Sequence, residues 1–361
     1  MGKGNTMDSV GIAIILLFLF RQWTSSAGAD THWTYTGSVG QSQWSEYFPD
    51  CGGNKQSPIN VETTQTQHDP SLTPMRPLGY RQLGKKPFTL HNNGHTVEMS
   101  LPDWMGLGGL PWQFTALQLH LHWGSSGDRV GGSEHTINGQ RSAAELHVVH
   151  YNSELYTNVT TAKKRTDGLA VLGVLIETGE GTNPGFENII SYLGNIKHAG
   201  QTVSIPPFDV QSLLPVNLGR YFRYNGSLTT PPCYQSVLWT VFAESVTVSH
   251  EQLRKLETAL FSSPVESHSL PLRDNYRNPQ PLNRRRVLAS FPLDTITMYS
   301  VGEVCAIVIG TLCGCIGLAA IIYFVIKTIR SKETEKEPKQ DVVFKTTSDP
   351  EKEEATPQPE P

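Results

Sequence analysis

Hydrophobic and polar residues alternate strictly in one segment near the middle of the chain, residues 117–123. The apolar positions of this segment are Leu117, Leu119 and Leu121. The polar positions between them are Gln118, His120 and His122. This period of two predicts a β-strand with one buried face, because successive side chains on a strand point to opposite sides. We therefore expect the leucines to face a core and the two histidines to lie together on the other face.

A second alternating segment, residues 143–150, predicts another strand. One face would carry Glu145, His147 and Val149, and the other Leu146 and Val148. His147 would complete a set of three imidazoles, and three imidazoles with one open position are typical of a catalytic zinc site. Gln118 and Glu145 would then hydrogen-bond to the rings and fix their orientation.

These histidines have a second interpretation. A buried histidine is more often a hydrogen-bonded core residue than a metal ligand, and one His-x-His pair is weak support for a site. The pair gains weight from the Glu-x-His sequence on the second predicted strand. The spacing therefore favours a metal site without excluding the core interpretation.

The rest of the central region predicts a large sheet with few helices. Short alternating runs are separated by Gly, Pro and Asn. Leu169–Glu177 is nearly continuous in apolar residues, which indicates a strand buried on both faces. A turn at Asn93-Gly94 would precede a strand over Thr96–Leu101. Apolar residues at helical spacing predict a helix over Ser249–Phe261, with Ser249 as its cap.

The N-terminus resembles a signal peptide. Val10–Phe20 is an apolar run of 11 residues that follows Lys3, and small residues continue to Ala29. The run is short for a membrane span. We expect residues 1–29 to be cleaved, although cleavage two residues earlier fits as well and a signal anchor is the alternative.

A second apolar segment near the C-terminus is long enough to cross a membrane. Val304–Ile326 contains 23 residues without a charge. The basic residues that follow it directly are Lys327, Arg330 and Lys332. Positive charge on this side predicts a cytosolic C-terminus and an external main domain, hence a single-pass type I protein of the plasma membrane. The predicted divisions are an extracellular domain (30–292), a stalk (293–303), a transmembrane helix (304–326) and a disordered cytoplasmic tail (327–361).

Small residues recur every four positions in this segment, at Ala306, Gly310 and Gly314. Such spacing lets two helices approach closely and would allow a homodimer. Small residues are also common in membrane helices, so the pattern does not by itself establish a dimer.

Composition adds little about partners but more about the compartment. The net charge of −4 gives no indication of nucleic acid or another polyanion as partner. Of five cysteines, only Cys51 and Cys233 lie in the central region. In an exported domain they would form a disulfide, and otherwise they would be two buried thiols. Asn158 and Asn225 begin glycosylation sequons.

Four motifs, in order, resemble the α-class carbonic anhydrases, and the resemblance extends from about His32 to Phe291. The motifs are Gln118–Gly124, Gly132–Thr136, Ala144–His150 and Ser227–Pro232. The segments outside this range resemble the membrane-bound members of the family. The resemblance implies a mainly β fold, with a large twisted, mostly antiparallel sheet of about ten strands and peripheral helices.

The resemblance also implies a reaction and a cofactor, Zn²⁺ held by His120, His122 and His147. Zinc-bound hydroxide would hydrate CO2 reversibly to bicarbonate and a proton, and so regulate extracellular pH and bicarbonate. This family is the standard example of zinc lowering the pKa of its bound water. Thr229 would orient the hydroxide by donating a hydrogen bond to Glu134, and Thr230 would bind bicarbonate.

Further residues take their roles from the resemblance alone. The CO2 pocket would consist of Val149, Val171, Leu228, Val237 and Trp239. His95 would shuttle the proton, through water ordered by Tyr35, Asn93 and Glu98. Glu98 is a departure, because a neutral amide is expected there, and it puts the efficiency of the shuttle in question. The backbone carbonyl of Asn275 would orient His122, and Cys51 and Cys233 would form a disulfide.

Two functional alternatives differ in class. A carbonic-anhydrase-like ectodomain without activity would serve adhesion or ligand binding, and such domains characteristically lose a zinc histidine. All three histidines are present here, which favours the enzyme. A bicarbonate or proton transporter would be a sensible partner for a surface enzyme, although no residue indicates one.

Overall fold

The computed structural model describes residues 32–125, 131–293 and 301–334 of the 361-residue chain. The predicted signal peptide and the tail beyond residue 334 lie outside the described residues. Two compact units are present, the first ending at Asp294 and the second beginning at Thr295.

The first unit is built mainly of β-strands. In the described ranges the strands are β1 (Asn60–Val61), β2 (Gln67–His68), β3 (Arg76–Leu78), β4 (Phe88–Asn92), β5 (Val97–Ser100), β6 (Gly106–Gly108), β7 (Phe114–Trp123), β8 (Thr136–Ile137), β9 (Gln140–Arg141), β10 (Ala144–Tyr151), β11 (Leu169–Gly179), β12 (Thr202–Ile205), β13 (Tyr221–Gly226), β14 (Val237–Phe242), β15 (Val246–Ser249) and β16 (Leu288–Ala289). Thirteen of them form one large sheet, and β1, β8 and β9 form a small one.

The main path through the large sheet runs β12-β4-β5-β7-β10-β11-β14-β13-β16-β2. Three further strands branch from it, with β15 beside β11 and the pair β3-β6 beside β7. The parallel pairs in this sheet are β11–β14, β11–β15 and β16–β2, and the other pairs are antiparallel. The predicted mostly antiparallel sheet is therefore confirmed. About ten strands were predicted, and the sheet has ten on its main path and three more that branch from it.

Helices are short and few in the first unit. In the parts described they are α1 (Trp44–Tyr47), α2 (Val159–Ala162), α3 (Pro184–Ile190) and α4 (His250–Thr258), with short 3-10 turns between strands. The predicted helix after Ser249 is α4. Its first turn is closed by a capping box, in which the Ser249 hydroxyl accepts the Gln252 N–H and the Gln252 side chain accepts the Ser249 N–H.

The large sheet separates two hydrophobic clusters. Leu119 and Leu121 of β7 belong to the larger one, together with Leu146 and Val148 of β10. Val149, on the opposite face of β10, belongs to the second cluster. The alternation seen in the sequence thus places the apolar residues of the two central strands as expected, with one exception at Leu117.

Leu117 does not follow the other leucines into the larger cluster. Gln118 pairs with Val149 and Ala116 pairs with His150, so Leu117 is an extra residue in β7 at a bulge. It packs instead against the second cluster, the one that contains Val149. The expectation that Leu117 faces the same core as Leu119 is wrong, because an extra residue reverses the alternation of the strand.

Two cysteines close a long loop in the first unit. Cys51 and Cys233 form a disulfide across a sequence separation of 182. The pairing implied by the resemblance is thereby confirmed, and the alternative of two buried thiols is not. The other three cysteines are free and belong to the second unit.

The second unit contains one long helix, α5 (Val301–Thr334). Its segment Cys305–Lys332 is long and apolar enough to cross a membrane, and all of that segment's apolar window is exposed. This candidate span includes most of the predicted one and extends beyond Ile326 through Lys327 and Arg330.

Candidate metal centre

The strand register brings the three predicted histidines together. His120 on β7 pairs directly with His147 on β10, and His122 pairs with Glu145. Directly opposite residues in an antiparallel pair point to the same face. One ligand atom from each of the three imidazoles lies within 4.8 Å of the others. His122 and His147 are fully buried, and His120 is partly exposed.

Each imidazole is held through the nitrogen that faces away from the other two rings. His120 Nδ1 contacts Gln118 Oε1 at 2.9 Å, and His122 Nδ1 contacts the backbone oxygen of Asn275 at 2.7 Å. His147 Nε2 contacts Glu145 Oε1 at 2.7 Å. These oxygens only accept hydrogen bonds, so each outer nitrogen carries the hydrogen. Gln118, Glu145 and Asn275 thus lie beside the rings.

The inner nitrogens then present lone pairs to one another. In a neutral imidazole the second nitrogen has no hydrogen, so His122 Nε2 and His147 Nδ1 face each other unprotonated at 3.1 Å. Two lone pairs repel at that distance unless a cation lies between them. Ligand nitrogens in tetrahedral zinc sites, at metal–nitrogen distances of about 2.0–2.1 Å, are about 3.3 Å apart. The donor set and its spacing therefore fit a zinc ion.

Burial keeps two of these rings neutral. The pKa of His120 lies well below its usual range because the ring is desolvated and because His122 and His147 are close by. Burial also lowers the pKa of His122, against the opposing charge of Glu134. Metal ligation requires the neutral ring, so the protein environment favours the binding form.

The Glu145 carboxylate is fully hydrogen-bonded. Oε1 accepts from His147 and from His135 Nδ1, at 2.7 Å each, while Oε2 accepts the N–H groups of Glu134 and His135. Burial alone would raise the pKa of this carboxyl, but the adjacent His135 and His147 hold it well below its usual range. An ionised carboxylate fixed in this way keeps the hydrogen of His147 on Nε2.

Hydrogen bonds continue from Glu145 to the loop that carries Thr229. His135 Nε2 lies 2.7 Å from the Tyr224 hydroxyl, which lies 2.9 Å from Ser57 Oγ. Ser57 Oγ accepts the backbone N–H of Ser227, two residues before Thr229. Sequence reasoning missed the roles of Tyr224 and Ser57, because they lie far from the histidine motifs along the chain.

Glu134 has one engaged oxygen and one free oxygen. Oε1 accepts the backbone N–H of Arg277 at 2.8 Å. Oε2 is buried, has no hydrogen-bond partner among the described residues, and lies 3.5 Å from His122 Nε2 and 3.8 Å from His147 Nδ1. A buried, unpartnered carboxylate oxygen is costly and indicates that a donor belongs there. Thr229 is buried, and no hydrogen bond joins it to Glu134 within the described part of the chain.

Arg277 is a further residue that sequence reasoning missed. Its buried guanidinium donates to Gln56 Oε1 and to the carbonyls of Ser57 and Cys51. Burial lowers its pKa to about 10, against the opposing charge of Glu134. These bonds fix the backbone N–H that holds Glu134 Oε1. No sequence signal marks this arginine, since its partners are distant along the chain.

The residues predicted to form an apolar pocket lie in one cluster. They are Val149, Val171, Leu228, Val237 and Trp239. Leu117 packs against the same cluster because of the bulge in β7. The ring of Trp239 lies 4.8 Å from that of His147, which places the cluster directly beside the imidazoles.

His95 lies in the turn between β4 and β5, and its ring stacks on the ring of Trp33. Asn93 Oδ1 accepts the N–H groups of His95 and Thr96, which closes the turn. The His95 ring lies 3.9 Å from the Trp33 ring, with 9° between their planes. Burial, with a smaller effect of the His32 charge, lowers the pKa of His95 to about 4. In this position His95 is a weak proton acceptor at neutral pH.

Two residues predicted to order water lie close to the imidazoles or to Glu134. Glu98 on β5 pairs with His120 on one side and with His91 on the other. Burial raises the pKa of Glu98, and nearby His91 partly opposes the shift. Burial and the Glu134 charge together raise the pKa of Tyr35 well above its usual value. Thr230 is partly exposed, and its carbonyl accepts the N–H of Cys233.

The two sequon asparagines lie away from the imidazoles. Asn158 is exposed and caps α2, with its side chain accepting the N–H of Thr161. Asn225 is exposed near the end of β13. Both side chains are accessible to a modifying enzyme.

Three imidazoles converge from two adjacent strands of a large β-sheet. This arrangement is typical of a β-sheet metalloprotein with a histidine centre. The sequence model described as "Eukaryotic-type carbonic anhydrase" matches residues 28–291. The chain belongs to this family, whose enzymes interconvert CO2 and bicarbonate.

Individual relatives agree with the family match. The chain is 42% identical over 339 residues to carbonic anhydrase 12 of Homo sapiens, covering 92% of this chain and 94% of that protein. It is 40% identical over 292 residues to carbonic anhydrase 6 of Homo sapiens, covering 80% and 92%. It is 37% identical over 289 residues to carbonic anhydrase 15 of Mus musculus, covering 76% and 88%. The similarity to each protein therefore extends over most of both chains.

Proposed function

We propose that the centre formed by His120, His122 and His147 holds Zn²⁺ and catalyses the reversible hydration of CO2. The observation that carries the proposal is the convergence of three imidazoles whose outer nitrogens are all bound to oxygen acceptors. Membership of the carbonic anhydrase family supports both the metal and the reaction. The intact set of histidines also argues against an inactive adhesion domain.

The protein's contribution at the metal is a neutral, rigid set of ligands. His120 Nε2, His122 Nε2 and His147 Nδ1 would hold the ion, and zinc, when bound, lowers the pKa of a water molecule so that it becomes a nucleophile at neutral pH. Three neutral imidazoles leave the positive charge of the ion undiminished, whereas thiolates would quench it. Gln118, Asn275 and Glu145 keep the rings in the binding tautomer.

Thr229 and Glu134 would orient the reacting water. The Thr229 hydroxyl would donate its hydrogen to Glu134 Oε2, the oxygen that has no partner among the described residues. Its oxygen is then free to accept a hydrogen from the reacting water, which leaves an oxygen lone pair directed toward CO2. The Arg277 N–H prevents the carboxylate from rotating away. This arrangement supplies orientation, not acid–base chemistry.

The cluster of Val149, Val171, Leu228, Val237 and Trp239 would receive CO2. An apolar wall excludes water competing for the same space, and CO2 has no charge that would need a partner. Thr230, at the exposed side of Thr229, would hydrogen-bond the more polar product. Substrate and product would thus be distinguished by polarity.

Proton release would use His95. Its ring must leave Trp33 before it accepts a proton efficiently, since burial holds its pKa at about 4 in the stacked position. Tyr35, Asn93 and Glu98 would order the intervening water.

The orientation role is tested by Thr229→Val in the full-length protein. We expect bound zinc to be retained and the rate of CO2 hydration to fall by about a hundredfold, because the water loses its directing hydrogen bond. Stopped-flow hydration and the zinc content are measured on the same sample. The matched control is Thr247→Val at an exposed position of β15, and equal rates for Thr229→Val and the wild type would refute the assignment.

The same proposal includes a location. We infer that α5 crosses the plasma membrane once, with residues 30–292 outside the cell, a stalk at 293–303 and a cytosolic tail at 327–361. A cleaved signal peptide (1–29) and sugar at Asn158 and Asn225 accord with this orientation. The hydrophobic length of Cys305–Lys332 and the basic residues at its end support it.

The proposal also includes two protein partners. The stripe of Ala306, Gly310 and Gly314 would allow two copies of α5 to associate. A bicarbonate or proton transporter would remove the products of the reaction at the same membrane. Cross-linking of the intact protein in membranes tests both associations.

A further inference from the structure

One end of the large sheet carries two separate runs of basic residues. Lys163–Arg165 lies just before β11, and Arg284–Arg286 lies just before β16. The strands β11, β14, β13 and β16 are consecutive neighbours. Because Leu169 at the start of β11 pairs with Val237, and Val237 pairs with Gly226 at the end of β13, both runs lie at the same end of the sheet.

Hydrogen bonds connect the two runs through the segment that contains Asn54 and Lys55, and Lys55 adds another cation. Asn283 Nδ2 donates to the carbonyl of Asn54, and the N–H of Lys55 donates to Gln235 Oε1. Next to Gln235, the Ser236 carbonyl accepts the N–H of Leu169, four residues after Arg165. We call the set Lys55, Lys163–Arg165 and Arg284–Arg286 the basic end. Three strand spacings, about 14 Å, separate β11 from β16, the strands that follow the two runs.

The cations of the basic end are available to a ligand. Lys55, Lys164, Arg165, Arg284 and Arg286 are exposed. Across the described ranges none of these five takes part in a salt bridge. The carboxylates of Asp167 and Glu154 accept hydrogen bonds from the Tyr156 hydroxyl and the Gln113 N–H, and in the described ranges neither forms a salt bridge with these cations.

The arginine run is held in a fixed position. The Arg285 guanidinium donates to the carbonyls of Leu282 and Pro281, each at 2.9 Å, and to that of Asn225 at 3.2 Å. This side chain therefore ties the turn to β13, while its two neighbours remain exposed. Because the backbone of the turn is held, binding to its two exposed arginines need not order that backbone.

We propose that the basic end binds a sulfated polysaccharide chain. Two cationic runs that precede strands about 14 Å apart suit an extended polymer that contacts both at once, which raises affinity beyond that of either run. The planar guanidinium group of arginine can donate two parallel hydrogen bonds to two oxygens of one sulfate group. The net charge of the whole chain is −4, so the attraction arises from local clustering that the net charge conceals.

The choice of a polysaccharide over a lipid surface rests on the proposed external position of this unit. Anionic lipids are concentrated in the cytoplasmic leaflet, so an external basic surface does not meet them. Sulfated polysaccharides are polyanions of the outer cell surface. Binding there would hold the enzyme within the pericellular layer in which its substrate and products diffuse.

The test uses the full-length protein in a neutral detergent, with any N-linked sugar at Asn158 and Asn225 left in place. Binding to immobilised heparin is measured by surface plasmon resonance at about 0.15 M salt. The test variant replaces Lys164, Arg165, Arg284 and Arg286 by Gln. We expect it to bind at least about tenfold more weakly than the wild type, and variants of either run alone to show intermediate losses.

The matched control removes four cations that lie elsewhere, by Lys85→Gln, Lys86→Gln, Lys197→Gln and Arg254→Gln, and should keep wild-type affinity. The proposal is overturned if the wild type does not bind heparin, or if the control loses as much affinity as the test variant. It is also overturned if the wild type prefers vesicles containing phosphatidylserine. Zinc content and CO2 hydration are recorded on the same samples, so a failure of the proposed activity is distinguished from a failure of heparin binding.

Discussion

At the scale of single residues, hydrogen-bond acceptors decide what the imidazoles can do. His120, His122 and His147 each donate from the outer nitrogen to an oxygen that cannot donate in return. The tautomer is therefore set by the surrounding protein and not by the metal. The same reasoning applies to Glu134 Oε2, a buried acceptor without a donor among the described residues. The proposed donor is the hydroxyl of Thr229.

The stacking of His95 on Trp33 gives a second prediction at this scale. Replacing Trp33 by Ala exposes the ring to water, and solvation favours the charged form, so the pKa of His95 should rise from about 4 toward its ordinary value of 6.5. The measurement is an NMR titration with labelled histidine. As the pKa of His95 rises, proton transfer to buffer near pH 6–7 should become faster, since the pKa of the accepting ring approaches the working pH.

The matched control for this experiment is Trp104→Ala, a partly exposed tryptophan elsewhere in the first unit. It should leave the pKa of His95 unchanged. A pKa that stays near 4 in Trp33→Ala would show that the stacked ring is not what desolvates His95.

At the scale of secondary-structure elements, periodicity predicted most of the sheet. The alternation in β7 and β10 correctly placed Leu119, Leu121, Leu146 and Val148 opposite the histidines. It failed at Leu117, because a bulge is a property of the pairing of two strands and leaves no trace in one strand's pattern. The capped helix α4 was also predictable, since Ser249 and Gln252 are local neighbours.

The cap of α4 gives a prediction for this scale. Ser249→Ala removes the acceptor of the Gln252 N–H, at 3.2 Å, and leaves that donor unsatisfied. We expect a loss of about 1 kcal/mol in the free energy of unfolding, or about 2–4 °C in melting temperature. Thermal unfolding followed by circular dichroism measures it. Thr258→Ala at the other end of α4 should have little effect, and equal losses in the two variants would argue against the cap.

At the scale of the whole molecule, contacts distant in sequence complete the centre. Arg277 holds Glu134, and Tyr224 with Ser57 is linked to Glu145 through His135. No short motif connects these segments to the histidines. Such residues could not be predicted from spacing, because their positions follow from how the sheet, the disulfide loop and the C-terminal strand fold together. The ligand histidines could be predicted because two neighbouring strands carry all three.

The disulfide gives the prediction for this scale. A chain-entropy estimate for a loop of 182 residues assigns about 5 kcal/mol to the Cys51–Cys233 bond, before any compensating change in the unfolded state. Cys51→Ser with Cys233→Ser should lower the free energy of unfolding by most of this amount and shift the denaturant midpoint down accordingly. Chemical unfolding of the full-length protein measures it, with Cys313→Ser as the control. A midpoint like that of the wild type would show that the cross-link contributes little.

The central claim is that the three histidines form a zinc centre that hydrates CO2, and stopped-flow CO2 hydration tests it most directly. The full-length wild type is compared with His120→Ala and with His268→Ala, which removes an exposed histidine that is not one of the three. We predict fast hydration with one bound zinc for the wild type and for His268→Ala, and loss of both rate and zinc for His120→Ala. A folded, zinc-loaded wild type without activity, or full activity in His120→Ala, would contradict the claim.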